Sequence, residues 1–523
     1  MTVLSSTTST VTVAANDPTF LLAGNSIVTT GGGTDAVIDS NLGAFNFYNY
    51  GTIISHDDGI ALTGEFDALF LNGNTGLVQT ADSAVIVFAG NGNTVTVINE
   101  GSLAGEQEGI LFSGSDLGDR AIVQNSGSVT GELQGVNSFR QLSLHNSGTI
   151  FGVNTGVNLT TTSDNSRIAN SGNILSDSVG LNIRGDSTTV VNNGLIEAAD
   201  GINLTNVVTG FVLENFGTVA GTLHSITLNA GDDIVRNFGT LAGVAGFSGG
   251  HDIFINGGTA SNTVQMGTGN DLVRAVGSGT FGGTVFGEEG LDTLLGADSA
   301  DRLDGGIDDD LIAGHGGNDT LLGDAGNDTI FGGAGDDDMD GGADDDVMNG
   351  GSGGDSLTGG IGNDVLIGQD GSDSLDGGAD NDTMDGGNGD DILEGDDGND
   401  ILRGRAGEDD LAGGLGRDFL TGGQDADNFV FRALAETVVG ANRDQIIDFE
   451  PGVDMIVVAG LSPGVFEFRG TAAFSPSGNP ELRLLETATG STIVQLDADG
   501  DGAADAEIRV ANVTGLTADD FVL

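Results

Sequence analysis

The side chains best placed for chemistry in this chain are carboxylates on a fixed spacing. Sixteen aspartates recur every nine residues without a break: Asp292, Asp301, Asp310, Asp319, Asp328, Asp337, Asp346, Asp355, Asp364, Asp373, Asp382, Asp391, Asp400, Asp409, Asp418 and Asp427. If the chain coils so that equivalent residues stack, each carboxylate lies about 4.8 Å from the next, the spacing of paired strands. Like charges that close repel, so the array calls for a counter-ion. A hard divalent cation that accepts carboxylates and backbone carbonyls, roughly six to eight oxygens at about 2.3–2.6 Å, is calcium.

The elements that must position these aspartates are written in the same period. From Gly287 to Val430 the chain reads Gly-Gly-x-Gly-x-Asp-x-(Leu/Ile/Met)-x, and Gly323-Asp-Ala-Gly-Asn-Asp-Thr-Ile-Phe331 is a copy that differs only at its second place. Position one is glycine in all sixteen units, and position eight is always apolar, from Leu294 and Leu303 to Phe429. Glycines at the first, second and often fourth places are expected to permit positive φ and a tight turn. The last three residues are expected to be extended, with the eighth pointing inward. Two units make one flat coil with two strands, and stacked coils bury a thin ladder of Leu, Ile and Met.

This repeat resembles the calcium-binding parallel β-roll of the RTX (repeats-in-toxin) family. The resemblance implies that each position-six aspartate ligates calcium together with turn carbonyls one coil apart. Some units depart from the pattern, which puts calcium at their turns in question. Gly296-Ala-Asp-Ser-Ala-Asp301 lacks the second and fourth glycines, and Gly404-Arg-Ala lacks the second.

Composition narrows the function classes. Of 523 residues 93 are glycine, there is no cysteine or tryptophan, and all 15 basic residues are arginine. The net charge is −63, and over half of it falls within residues 287–430. Such a chain is repelled by nucleic acid and by bare anionic lipid, and attracts cations. No apolar run is long enough to span a membrane. The start, Met1-Thr-Val-Leu-Ser-Ser-Thr-Thr, lacks the basic and apolar regions of a secretory signal peptide.

Four segments follow in order. Residues 1–20 alternate Thr, Ser and Val and read as an extended N-terminal tail with no evident partner strand, or as one that adds to a neighbouring molecule. Residues 21–286 carry a looser repeat, Asn-x-Gly-(Thr/Ser)-(Ile/Val/Leu), at Asn49, Asn74, Asn99, Asn125, Asn146, Asn170, Asn192, Asn215 and Asn237. With Val- and Ile-rich segments between turns, it reads as one coil of a parallel β-helix per repeat. The stacked asparagines would then form an internal ladder of amide hydrogen bonds. The pattern resembles the β-solenoid passengers of bacterial surface adhesins. Because Gly267-Thr-Gly-Asn-Asp271-Leu already has the later spacing, the all-β fold is expected to run on, parallel β-helix into β-roll (287–430), as one rod.

Residues 431–523 lose the period and read as a β-rich end cap. Leu496-Asp-Ala-Asp-Gly-Asp-Gly-Ala-Ala-Asp-Ala-Glu-Ile508 and Leu516-Thr-Ala-Asp-Asp-Phe-Val-Leu523 resemble the C-terminal region of serralysin-type secreted proteases. That resemblance implies an uncleaved signal for type I export. Asp497-x-Asp499-x-Asp501-Gly502 also matches the first half of an EF-hand loop, but its twelfth place is Ile508 rather than Glu, so it is read as a polar turn.

No catalytic set emerges. The zinc-protease His-Glu-x-x-His motif is absent. Gly246-Phe-Ser248-Gly-Gly250 fits a nucleophile elbow only if a helix follows, which the sequence does not suggest. A polysaccharide lyase or epimerase is the enzymatic alternative, because alginate-acting enzymes join β-helices to such modules. Its candidate cluster would be Tyr48, Tyr50, His56, Asp57 and Asp58, more simply read as an exposed polar turn. The expected protein is a non-enzymatic, secreted calcium-binding β-solenoid, structural or adhesive, at the bacterial cell surface or in extracellular matrix. Its expected partners are calcium, the type I secretion machinery, surface polysaccharide, and further copies of itself.

Overall fold

The structure, a computed structural model, describes residues 2–4, 11–12, 19–22, 25–28, 37–39, 45–55, 57–64, 67–89, 93–113, 119–160, 163–205, 210–458, 460–461 and 464–523. It divides into two compact units, Met1–Phe286 and Gly287–Leu523. Both are β-solenoids of parallel strands, and the one helical element among the described residues is the single 3-10 turn Ala518–Asp520. No helix is long and apolar enough to cross a membrane.

In the first unit a coil has three strands, as in Arg120–Asn125, Ser128–Gly131 and Gln134–Ser138. Each pairs in parallel with its counterpart one coil on, Gln141–Asn146, Thr149–Gly152 and Thr155–Leu159. Alternation explains the core: Val123, Val129 and Val136 point inward with no exposure, while their neighbours face out. The glycine of Asn-x-Gly is set by the stacking of turns. A Cβ at Gly127 would sit 2.1 Å from the Gly101 carbonyl oxygen, and one at Gly148 2.1 Å from that of Gly127.

The residues expected to form an unpaired tail do pair where they are described. Thr2–Leu4 lies parallel to Thr19–Leu21, and Val11–Thr12 to Val37–Asp39, so these two strands join the parallel stack.

In the second unit two nonapeptides make each coil, and partners are eighteen residues apart, as Leu321↔Met339 and Ile330↔Met348 show. Position-eight residues from Leu294 to Phe429 are at most 1% exposed and form the core. The strands are longer than the three residues expected. Thr320–Ala325 and Thr329–Ala334 each run through positions seven to nine and on through positions one to three of the next unit. Near the C-terminus the parallel stack ends in an antiparallel meander of Glu481–Glu486, Thr492–Asp497 and Ala506–Val510. The last of these pairs in parallel with Gln445–Ile446, which itself continues from Phe419 and Leu420.

Candidate metal centre

The aspartate array sits where the turns of successive coils meet. Each position-six aspartate is at most 4% exposed. In the regular case Oδ1 accepts the backbone amide of the aspartate one coil earlier: Asp328 N–H donates to Asp346 at 2.8 Å, and Asp346 N–H to Asp364 at 2.8 Å. The same bond links Asp319 to Asp337 and Asp337 to Asp355 along the opposite edge. One carboxylate oxygen is thereby used. Oδ2 of Asp310, Asp319, Asp328, Asp337, Asp346, Asp355, Asp364, Asp373, Asp382, Asp391, Asp400, Asp409 and Asp418 is buried and meets no hydrogen-bond donor.

Position-one glycine answers to this carboxylate. A Cβ at Gly323 would lie 2.4 Å from Oδ2 of Asp328, and one at Gly314 2.0 Å from that of Asp319. Positive φ, expected at the first place as well, occurs instead at the second and fourth: Asp324 has φ 71° and Gly326 φ 135°. The first glycine is therefore required by close approach to the aspartate, and the second and fourth by backbone conformation. Where position four is not glycine in a positive-φ turn it is always aspartate, at Asp308, Asp344, Asp380 and Asp425.

The electrostatics are those of anions without a counter-charge. Burial, reinforced by neighbouring aspartates and opposed by the amide hydrogen bond, pushes the carboxyls of Asp310 and Asp400 up to about 8. The same causes take Asp319, Asp346, Asp382, Asp391 and Asp427 up to about 7. A buried acceptor left unmade costs ~1–3 kcal/mol, more for a charged group. Thirteen such oxygens carry a cost on the scale of the roughly 5–15 kcal/mol net stability of an ordinary domain or above it. An all-oxygen donor set with one free carboxylate oxygen per turn fits a hard divalent cation such as calcium.

Of the units that begin at Gly296 and Gly404, one keeps the geometry. Arg405 adopts φ 88° at position two, its guanidinium pairs with Asp385, and Asp409 keeps the regular bonding. In the other, Ala297 N–H donates to Oδ2 of Asp301 at 2.8 Å and Oδ1 is the oxygen left without a donor, so the carboxylate is turned over. Counting nonapeptides also missed two members. Asp418 N–H donates to Asp444 and Asp427 N–H to Asp454, and the free oxygen of Asp454 accepts the Glu450 amide at 2.7 Å, closing that edge. The intervals of 26 and 27 residues hid them, and the buried ladder alone reveals them.

The asparagine ladder of the first unit is also present. Nδ2 of Asn99 donates to Oδ1 of Asn125, Asn125 to Asn146, Asn146 to Asn170 and Asn170 to Asn192, each at 2.8 Å. Asn74 is not a member. Its place is taken by Asn72, bonded to Asn49 and Asn99 at 2.8 Å, while Asn74 is exposed. The turn there has four residues, 73–76, so counting back from Gly76 reaches the wrong asparagine. The ladder also extends to Asn256.

Other candidates are dispersed or already engaged. Asp57 and Asp58 lie beside Asp82, whereas His56 falls outside the described residues. The Ser248 hydroxyl donates to the Leu228 carbonyl, His251 Nδ1 accepts the Asn270 amide, and the strand Ile253–Asn256 follows instead of a helix. Asp497, Asp499 and Asp501 cluster in a β-hairpin loop, where Asp497 accepts the amides of Gly500 and Gly502 at 2.8 Å.

Residues 278–312, 286–321, 313–348, 349–384, 385–420 and 403–430 match the RTX calcium-binding nonapeptide repeat. Among solved structures the chain is similar to the AlgE6R3 subunit of the Azotobacter vinelandii mannuronan C5-epimerase: 29% identity over 28% of this chain and 80% of that one, TM-score 0.23. The AlgE6R2 subunit of the same enzyme is similar at 23% identity over 31% of this chain and 87% of that one, TM-score 0.21. No curated protein sequence matches the chain.

Proposed function

We propose that this protein is a secreted, calcium-binding structural or adhesive β-solenoid of the bacterial cell surface or extracellular matrix, without catalytic activity. The observation that supports it is the file of buried aspartates from Asp292 to Asp427, most with one carboxylate oxygen that no protein group satisfies. The sixteen position-six aspartates hold calcium in this reading, with turn carbonyls completing each ligand shell. Folding is then linked to the ion. Where calcium is scarce, repelling carboxylates keep residues 287–430 unfolded, the state a type I exporter can thread. Outside the cell, sites of the extracellular kind, with dissociation constants of ~10⁻⁴–10⁻³ M, fill and the roll forms. The remaining work, adhesion or self-assembly, falls to the long asparagine-ladder unit, whose stacked parallel coils present regular surface rows.

Circular dichroism of the full chain tests the core of this reading. Millimolar calcium is expected to add β-signal that chelator removes reversibly, and equal spectra in both contradict it. Electron microscopy in calcium addresses assembly, with filaments or lattices expected. Incubation with alginate and pectin is expected to release no unsaturated uronate.

A further inference from the structure

Three aspartates upstream of the nonapeptides repeat the ladder bonding inside the asparagine unit. Phe211 N–H donates to Asp233 at 3.0 Å, Asp233 N–H to Asp252 at 2.7 Å, and Asp252 N–H to Asp271 at 2.7 Å. All three residues are at most 3% exposed. Oδ2 of Asp233 and Oδ2 of Asp252 are buried without a hydrogen-bond partner. The turns before Asp252 and Asp271 share the roll's conformation at the same offsets from the aspartate. Ser248 and Gly250 have φ 78° and 130°, and Gly267 and Gly269 have φ 99° and 127°.

These coils are nevertheless not nonapeptide coils. Their repeat is 19 residues, the Asn237–Asn256 bond still spans the other side, and buried Phe247 and Met266 stand where the roll has its first glycine. They lie outside the residues that match the RTX repeat, 278–430.

We propose that Asp233, Asp252 and Asp271 bind calcium between the turns of consecutive coils within Met1–Phe286, as a site of their own. Both unpartnered oxygens belong to side chains that are nine-tenths or more buried, and a carboxylate oxygen is the hard donor that calcium takes. A cation satisfies both carboxylates at once. The nearby His251 is already committed, its Nδ1 accepting the Asn270 amide at 2.8 Å. Calcium control of folding then reaches past the nonapeptides into the last coils of the asparagine unit. The inference rests on the calcium reading above only for the choice of ion.

Native mass spectrometry of the full chain in calcium counts the ions directly. Asp252→Asn keeps the size and the Oδ1 acceptor but removes the charge, and it is expected to bind at least one calcium fewer than wild type. Hydrogen exchange should show calcium-dependent protection of residues 228–275 in wild type that the variant lacks, while residues 310–427 respond in both. An unchanged ion count, or an undiminished calcium response of 228–275 in the variant, overturns the proposal. If Asp252→Asn does not fold, Asp233→Asn provides the same count. A wild-type chain that binds no calcium at all would overturn the nonapeptide reading too, which distinguishes the two failures.

Discussion

The two units solve the same problem with different side chains, and one solution is complete while the other is not. Both stack flat coils, and both carry a buried polar file where the coil turns. In the first unit the file is asparagine, which donates and accepts: Asn146 gives Nδ2 to Asn170 and takes the amide of Asn125. Each layer satisfies the next, and the spare N–H reaches a carbonyl such as that of Asn173 at 3.0 Å. In the second unit the file is aspartate, which when ionised only accepts. Asp346 takes one amide from Asp328 and has a second oxygen with no protein donor. An amide ladder is self-sufficient, whereas a carboxylate ladder leaves a deficit that an ion can fill. In the proposed reading, exchanging the amide for a near-isosteric carboxylate is what makes folding depend on an ion.

The comparison can be stressed first by pH, where many carboxyls act together. In the second unit burial raises the ladder carboxyls above their ordinary value of 3.8, that of Asp328 to about 6 and that of Asp310 to about 8. Their folded values are raised, so the folded state holds more protons across that window. Without calcium, stability therefore rises as pH falls from about 8 toward 4, and is lost as pH rises through the folded values. Circular dichroism in chelator is expected to show strand signal gained on acidification, while calcium adds progressively less. The asparagine ladder does not titrate.

Exchanging the ladder residues sharpens the contrast. Asn146→Asp puts an uncompensated charge among dry amides and is expected to cost ~3–5 kcal/mol, with calcium giving no rescue. The reciprocal Asp346→Asn is expected to weaken calcium binding yet raise the residual stability of the roll in chelator, because it removes one repelling charge. Thermal transitions of both variants, with and without calcium, read the opposite signs.

The smallest expected effect concerns the turn backbone. Asp344 is held at φ 82° and its charge raises the carboxyl of Asp346. Asp344→Gly relieves both and is expected to stabilise the roll by about 1 kcal/mol, seen as a higher melting temperature in calcium.

Much of this was legible in the sequence because repeats multiply weak signals. The period of nine residues alone places every aspartate from Asp292 to Asp427, the core at position eight and the two-unit coil. What was missed depends on contacts that no spacing records. Asn72 replaces Asn74 because one turn is two residues longer. Asp444 and Asp454 extend the ladder across loops of irregular length. Position-one glycine is needed because a carboxylate oxygen occupies its Cβ space, whereas its type alone suggests only a freedom of φ. The N-terminal alternation read as a tail because its partner strand begins more than a dozen residues later, beyond any local pattern.

Hydrogen exchange on the full chain at neutral pH, in millimolar calcium and in chelator, tests the difference between the ladders most directly. Strands between Leu311 and Gln424 should be protected only with calcium, and coils from Asn99 to Asn215 should be protected equally in both. Protection of the aspartate coils in chelator, or loss of the asparagine coils along with them, would contradict the account.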